Sequence, residues 1–298
     1  MEKIKVAVIG AGGKMGTRTS NNLVTKFPDK FDVKLVETFP PAVERIEKER
    51  GLKVTPVDEA LAFADVVIFA VPDNLIKKLS AEYVPMLKPG TVFLILDPAA
   101  AVAKELTLRD DCTFGVAHPC HPSYFKWQKE EEAYQDRFGG EGGHQDIVMS
   151  CIQGDEEKFK LAQETARCMY RADKAFVMTS EQIAFLEPTL VETLGATCCY
   201  AMAETVNEAV KRGIDREAAV SFLTGHVFNL TANFLGYLPG NPPVSDACKV
   251  ALEIGNHLVL RDDWKKIWDD ELLRKVIATM LHPETSQENL GFDVKPQK

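Results

Sequence analysis

Residues able to do chemistry come early: Gly10, Gly13 and Gly16 recur at every third position in VAVIGAGGKMGTR, directly after an apolar run. A glycine turn leading from a strand into a helix leaves backbone amides facing outward. The helix dipole adds positive potential there, so the turn suits a phosphate. Gly10 would serve the tight turn, while Gly13 and Gly16 permit close backbone approach and helix packing. The spacing departs from the commonest GxGxxG form, and such turns also have purely structural uses. Context favours the cofactor reading. The next strand, DVKLVE, ends in Glu37, 21 residues after Gly16. A carboxylate at that point can accept hydrogen bonds from ribose hydroxyls and would repel a 2′-phosphate, which favours NAD over NADP. The segment ADVVIFAVPDN brings Val71 and Asp73 to the same crevice edge. The expected NAD site is therefore Gly10, Gly12, Gly13, Lys14, Met15, Gly16, Glu37, Val71 and Asp73.

A second constellation lies in GVAHPCHPSYF, where His118 and His121 each precede a proline. Proline biases the residue before it toward extended or polyproline geometry. Positions three apart then share a face, about 9 Å apart at roughly 3.1 Å per residue, so one ion could take both rings only if they leaned together. His118, nearer the strand end, is the expected metal ligand, and His121 the expected catalytic group handling substrate or proton. The alternative for each is a rigid loop with exposed imidazoles. Glu187 precedes Pro188, and proline suits a helix start better than its interior, so a long helix should begin or kink there. A carboxylate at that break is the expected second metal ligand; the alternative is one that merely favours the helix dipole. Glu192, five residues on, would lie roughly 140° around an ideal helix. His226 on an apolar stripe reads equally well as a core histidine, and Lys249 as a carboxylate clamp or a plain surface lysine.

Elements must position these groups. Short apolar runs, Ile4 to Ile9, Val33 to Val36, Val66 to Val71, Val92 to Leu96 and Thr113 to Ala117, alternate with helical patterns. That order implies an α/β fold, a Rossmann-type doubly wound parallel sheet with helices on both faces. Ile147 to Ile152, a helix beginning near Asp155, and Ala175 to Met178 should complete the sheet. After Thr179 the pattern is helical throughout, broken by YLPGNPP. The expected domains are 1–178, NAD-binding, and 179–298, an all-helical domain for substrate and dimerisation. The charged stretch from Phe125 to His144, ending GGEGGH, reads as a mobile excursion, the alternative being a mere solvated loop. With 298 residues, 45% hydrophobic, the chain can build a sizeable core. A net charge of -9 argues against a general nucleic-acid binder. The seven cysteines include no CxxC pair, so a disulfide framework is not expected. No run suits a membrane span, and no export signal opens the chain, so a cytoplasmic location is expected. Apolar runs such as LGATCCYAMA in the second half point to a homodimer through those helices.

The segments GAGGKMG, ADVVIFAVPDN, LKPGTVFLILDPAA and GVAHPCHPSYF, followed by a helical second half, resemble the 6-phosphogluconate and β-hydroxyacid dehydrogenase superfamily. The AHPCHP block resembles its D-apionate oxidoisomerase branch. The resemblance implies oxidation of a branched sugar acid with NAD, followed by migration of its carboxylate to the neighbouring carbon, giving 3-oxo-isoapionate. Ordinary dehydrogenases of the superfamily carry a Lys-x-x-x-Asn pair at the start of the long helix; this chain has Glu187 about there. A divalent metal, zinc or another transition ion, would stabilise the negative charge that such a migration develops on oxygen. The alternatives are a plain hydroxyacid dehydrogenase without rearrangement and a non-catalytic NAD sensor.

Overall fold

In a computed structural model, residues 2–240 and 242–294 are described. In chain order they form β1 (Ile4–Ile9), α1 (Lys14–Thr25), β2 (Phe31–Val36), α2 (Pro40–Glu44), α3 (Val57–Phe63), β3 (Val66–Phe69), α4 (Asp73–Tyr83), β4 (Val92–Ile95), α5 (Ala99–Val102), β5 (Thr113–Pro119), α6 (Glu131–Gln135), β6 (Gln145–Gln153), α7 (Glu156–Met169), β7 (Ala172–Val177), α8 (Ser180–Ala184), α9 (Thr197–Lys211), α10 (Arg216–Phe234), α11 (Asp246–Leu258), α12 (Asp270–Leu281) and α13 (Ser286–Leu290). A π-helical turn, Arg45–Glu49, follows α2, and a longer π-helical run, Phe185–Ala196, joins α8 to α9.

The sheet order is β2-β1-β3-β4-β5-β6-β7. A parallel bridge from Leu35 to Val54 extends its β2 edge. The chain steps from β1 outward to β2, then returns past β1 to β3, so the strand order reverses between β1 and β3. That reversal opens the crevice in which doubly wound sheets hold ligands. β3 and β4 are buried along their whole length, as expected of strands covered by helices on both faces. One departure from an all-parallel sheet is β6, which runs antiparallel to β5 before pairing parallel with β7. Its chain arrives by the 120–144 excursion rather than by a helical crossover, which frees its direction. α7 begins where Asp155 caps the amide of Lys158 at 2.9 Å, with Glu156 and Glu157 favouring the positive end of the helix.

Two compact units result: residues up to Ala184 together with those from Arg274 onward, and residues 185–273. The composition change at Thr179 precedes this division by a few residues, and the last helices group with the sheet-bearing unit. Composition follows hydropathy, whereas compactness follows contact. The sheet-bearing unit centres on Val6, Val8, Ile68, Leu94, Ile147 and Met149, all fully buried. In the 185–273 unit, Phe185 stacks on Trp268 with ring centroids 5.9 Å apart, and the Thr189 hydroxyl donates to the carbonyl of Ile267 at 3.4 Å.

Candidate active site along the carboxyl edge of the sheet

The strand registers pair Ile9 with Phe69, Phe69 with Ile95 and Ile95 with Val116. Continuing two residues past each strand partner sets Val71, Asp97 and His118 side by side, with the glycine turn at the end of β1 on the same edge. Neighbouring strands are about 4.7–4.9 Å apart, so the edge from β1 to β5 spans roughly 14 Å.

Gly10 takes a left-handed conformation, φ +76°, where a side chain would be strained. A Cβ on Gly16 would come within 2.7 Å of Ala11 Cα, so α1 can leave the strand this closely only with glycine there. Glu37 sits behind the turn. Its Oε2 accepts the Gly12 amide at 3.0 Å, and its Oε1 accepts the amides of Thr38 at 2.8 Å and Phe39 at 3.0 Å. Arg45 donates to the Gly12 carbonyl at 2.9 Å. Gly12 is thus fixed from both sides, and the amides left to face a ligand are those opening α1, at Lys14, Met15 and Gly16, which have no acceptor within the helix.

At the other end of the edge, His118 Nδ1 donates to the carbonyl of Leu96 at 2.7 Å. The carbonyl can only accept, so Nδ1 carries the hydrogen. One oxygen of Asp97 accepts the Ala99 amide at 2.8 Å, which orients that carboxylate. Glu187 stands one turn past Ala184 on the continuing helix. One ligand atom each from Asp97 and His118, both partly buried, lies within 4.8 Å of the other.

His121 behaves differently from His118. Instead of extended backbone it takes φ +61°, and its Nδ1 donates to the carbonyl of Phe138 at 3.0 Å. The tie to Phe138 overrides the bias set by Pro122, so the two imidazoles do not share a polyproline face. Glu192 falls within the π-helical run, where bonds link positions five apart, so the angle expected of an ideal α-helix between it and Glu187 does not apply. His226 is exposed, bonded through Nδ1 to the Phe222 carbonyl of its own helix at 2.7 Å and stacked on that ring. Lys249 pairs with Asp246 at 2.8 Å on the surface. Asp73 is exposed at the start of α4, and Val71 is partly buried. Asp97 carried no expected role. The signal for it was the DPAA that follows a buried strand, one strand over from the histidine.

Residues 126–281 match the family described as Phosphogluconate dehydrogenase (decarboxylating) C-term, and residues 1–114 that described as Acetohydroxy acid isomeroreductase, NADPH-binding domain. The chain is 72% identical over 288 residues to the D-apionate oxidoisomerase of Blautia hydrogenotrophica, covering 96% of this chain and 100% of the relative. It is 41% identical to that of Cupriavidus necator, over 92% of this chain and 98% of the relative. Among solved structures, a semialdehyde dehydrogenase NAD-binding protein from Cupriavidus necator, in complex with calcium and NAD, superposes with a TM-score of 0.87 at 41% identity, covering 94% of this chain and 100% of that one. An NADH-preferring ketol-acid reductoisomerase from an uncultured archean shares the fold, with a TM-score of 0.62 at 20% identity over 95% of this chain and 83% of that one. The chain belongs to the D-apionate oxidoisomerase family, within the 6-phosphogluconate and β-hydroxyacid dehydrogenase superfamily.

Proposed function

We propose that this protein is an NAD-dependent oxidoisomerase that converts D-apionate to 3-oxo-isoapionate by oxidation and carboxylate migration, assisted by one divalent metal. The observation that carries the reading is the 72% identity to a D-apionate oxidoisomerase along essentially the whole chain.

The opening amides of α1 bind the pyrophosphate, and Glu37 holds the turn and meets the adenosine ribose. Val71 and Asp73 flank the nicotinamide-side ribose. NAD supplies the hydride acceptor. Asp97 and His118 fit a divalent cation, because donors roughly 2.3–2.6 Å from a shared ion can be as far apart as these two are, and Glu187 is the further carboxylate proposed to hold it. One imidazole with carboxylates suits zinc or another transition ion, and oxygen-rich sets also suit harder cations. Such an ion would act as a Lewis acid, worth several kcal/mol where charge grows on a substrate oxygen. His118 presents Nε2 because Leu96 occupies its Nδ1 hydrogen. His121 moves the proton that accompanies hydride removal and carboxylate transfer.

The decisive experiment is incubation of the purified protein with D-apionate and NAD. NADH formation should appear together with a rearranged carbon skeleton by NMR. An unrearranged ketoacid would make it a plain dehydrogenase, and tight NAD binding without turnover on any sugar acid would make it a sensor.

A further inference from the structure

The excursion between β5 and β6 is not a loose loop. Asp136 turns its carboxylate into the glycine run that follows it. Oδ1 accepts the Gly139 amide at 2.8 Å, and Oδ2 accepts those of Gly140, Glu141, Gly142 and Gly143 at 2.8–3.0 Å. The strap so formed is pinned to α1. Arg18, only 3% exposed, donates through Nε to the Gly139 carbonyl and through Nη2 to Gln145 at 2.8 Å, and Asn21 donates to the Gly140 carbonyl at 3.0 Å. Only glycine fits at the seam, since a Cβ on Gly140 would approach Arg18 Cγ to 2.8 Å.

This seam sets Phe138 beside the glycine turn. The Lys14 ammonium lies 4.1 Å from the ring centroid and the Arg18 guanidinium 4.2 Å, while the Phe138 carbonyl holds His121. The placement of Lys14 is electrostatically uphill. It is the first residue of α1, at the positive end of the helix dipole, with no acid in the first turn. A bound anion reverses that cost, and a groove of about 550 Å³ opens there between Lys14, Arg45 and Phe138.

We propose that Phe138, fixed by the Asp136-capped strap, is a positioning residue for the dinucleotide: its ring holds the Lys14 ammonium at the mouth of the glycine turn, where the pyrophosphate binds. This rests on the NAD reading of that turn. Cation–π contacts are worth enough to change affinity roughly 2- to 30-fold.

The test is a double-mutant cycle on the full-length protein, read as NADH affinity by fluorescence titration. Phe138→Leu should weaken NADH binding at least about twofold, Phe138→Tyr should restore it, and in a Lys14→Gln background Phe138→Leu should have no further effect. An effect below about twofold, or the same loss with and without Lys14, would overturn the proposal, since a merely structural ring would lower stability irrespective of Lys14. Should leucine at 138 prevent folding, Phe138→Met enters the same cycle. Failure of the wild type to bind NADH would instead remove the cofactor reading itself.

Discussion

His118 can serve a cation only while its Nδ1 hydrogen stays on the Leu96 carbonyl, so the backbone of the neighbouring strand chooses the tautomer. The Asp97 carboxylate is oriented in the same way, by the Ala99 amide. Removing a partner that merely orients a ligand costs about 10–100-fold in metal affinity, so removing a ligand should cost at least that much. Asp97→Ala should therefore lower divalent-metal affinity by at least about tenfold, measured by calorimetric titration, with NADH binding left near the wild-type value. Equal metal affinity in the variant would remove Asp97 from the donor set. Glu37 makes a different prediction. It accepts three backbone amides, and a hydrogen bond to a charged group contributes about 1.5–3 kcal/mol. Glu37→Ala should raise the KM for NAD roughly 10- to 150-fold and narrow the preference over NADP, because the like charge facing a 2′-phosphate is gone. Steady-state kinetics with the two cofactors checks both parts.

At the scale of elements, the β1 turn and the strap carry opposite lessons about what a sequence displays. The turn was legible: an apolar run, three glycines and an acidic strand end are local signals, and the registers place them as the pattern implied. Gly16→Ala should destabilise the fold by about 1–3 kcal/mol through overpacking against Ala11, visible as a lower Tm. The strap was not legible. Its charge and glycines resemble a mobile loop, and what orders it is a pairing between Arg18 and Gly139, 121 positions apart, which no local pattern reveals. Its second anchor, Asp136, predicts a pH response. Burial pushes this carboxyl up, but the amides of Gly142, Gly143, Gly140 and Glu141 together outweigh that and hold it far below the usual carboxylate range. A depressed folded pKa gives stability that is complete above the unfolded value, about 3.9, and is lost as pH falls toward the folded one. Amide-exchange protection factors at Gly140–Gly143 should therefore fall below about pH 4, and Asp136→Asn should show low protection already at neutral pH. The groups facing Asp136 are those amides, the Gly139 amide and the Arg18 guanidinium, which does not titrate in this range. The π-helical run at 185–196 escaped the sequence reading for a related reason: Pro188 announced a break, yet not the widened bonding that accommodates it.

At the scale of the whole molecule, the helices of residues 185–273 expose what a single copy would be expected to bury. α11 is amphipathic, with Val250, Ile254 and Leu258 along one stripe, yet none of its residues is buried; those three are 61%, 53% and 81% exposed. α10 adds Phe222 at 71% and Phe234 at 57%. Most helical stability comes from packing an apolar face, and contiguous apolar patches beyond a few hundred Å² mark interaction surfaces. A second copy of this chain is the proposed cover, because closed symmetric pairing lets one self-complementary stripe satisfy both copies. Among the described residues no helix is long and apolar enough to cross a membrane. The prediction is a homodimer at micromolar concentration in sedimentation velocity. Leu258→Glu, which puts a charge at the most exposed position of the stripe, should shift the population toward monomer. It should also lower Tm in a concentration-dependent way, as mass action requires. A wild-type monomer at those concentrations would sink the assignment. A dimer untouched by Leu258→Glu together with Ile254→Glu would move the interface off α11.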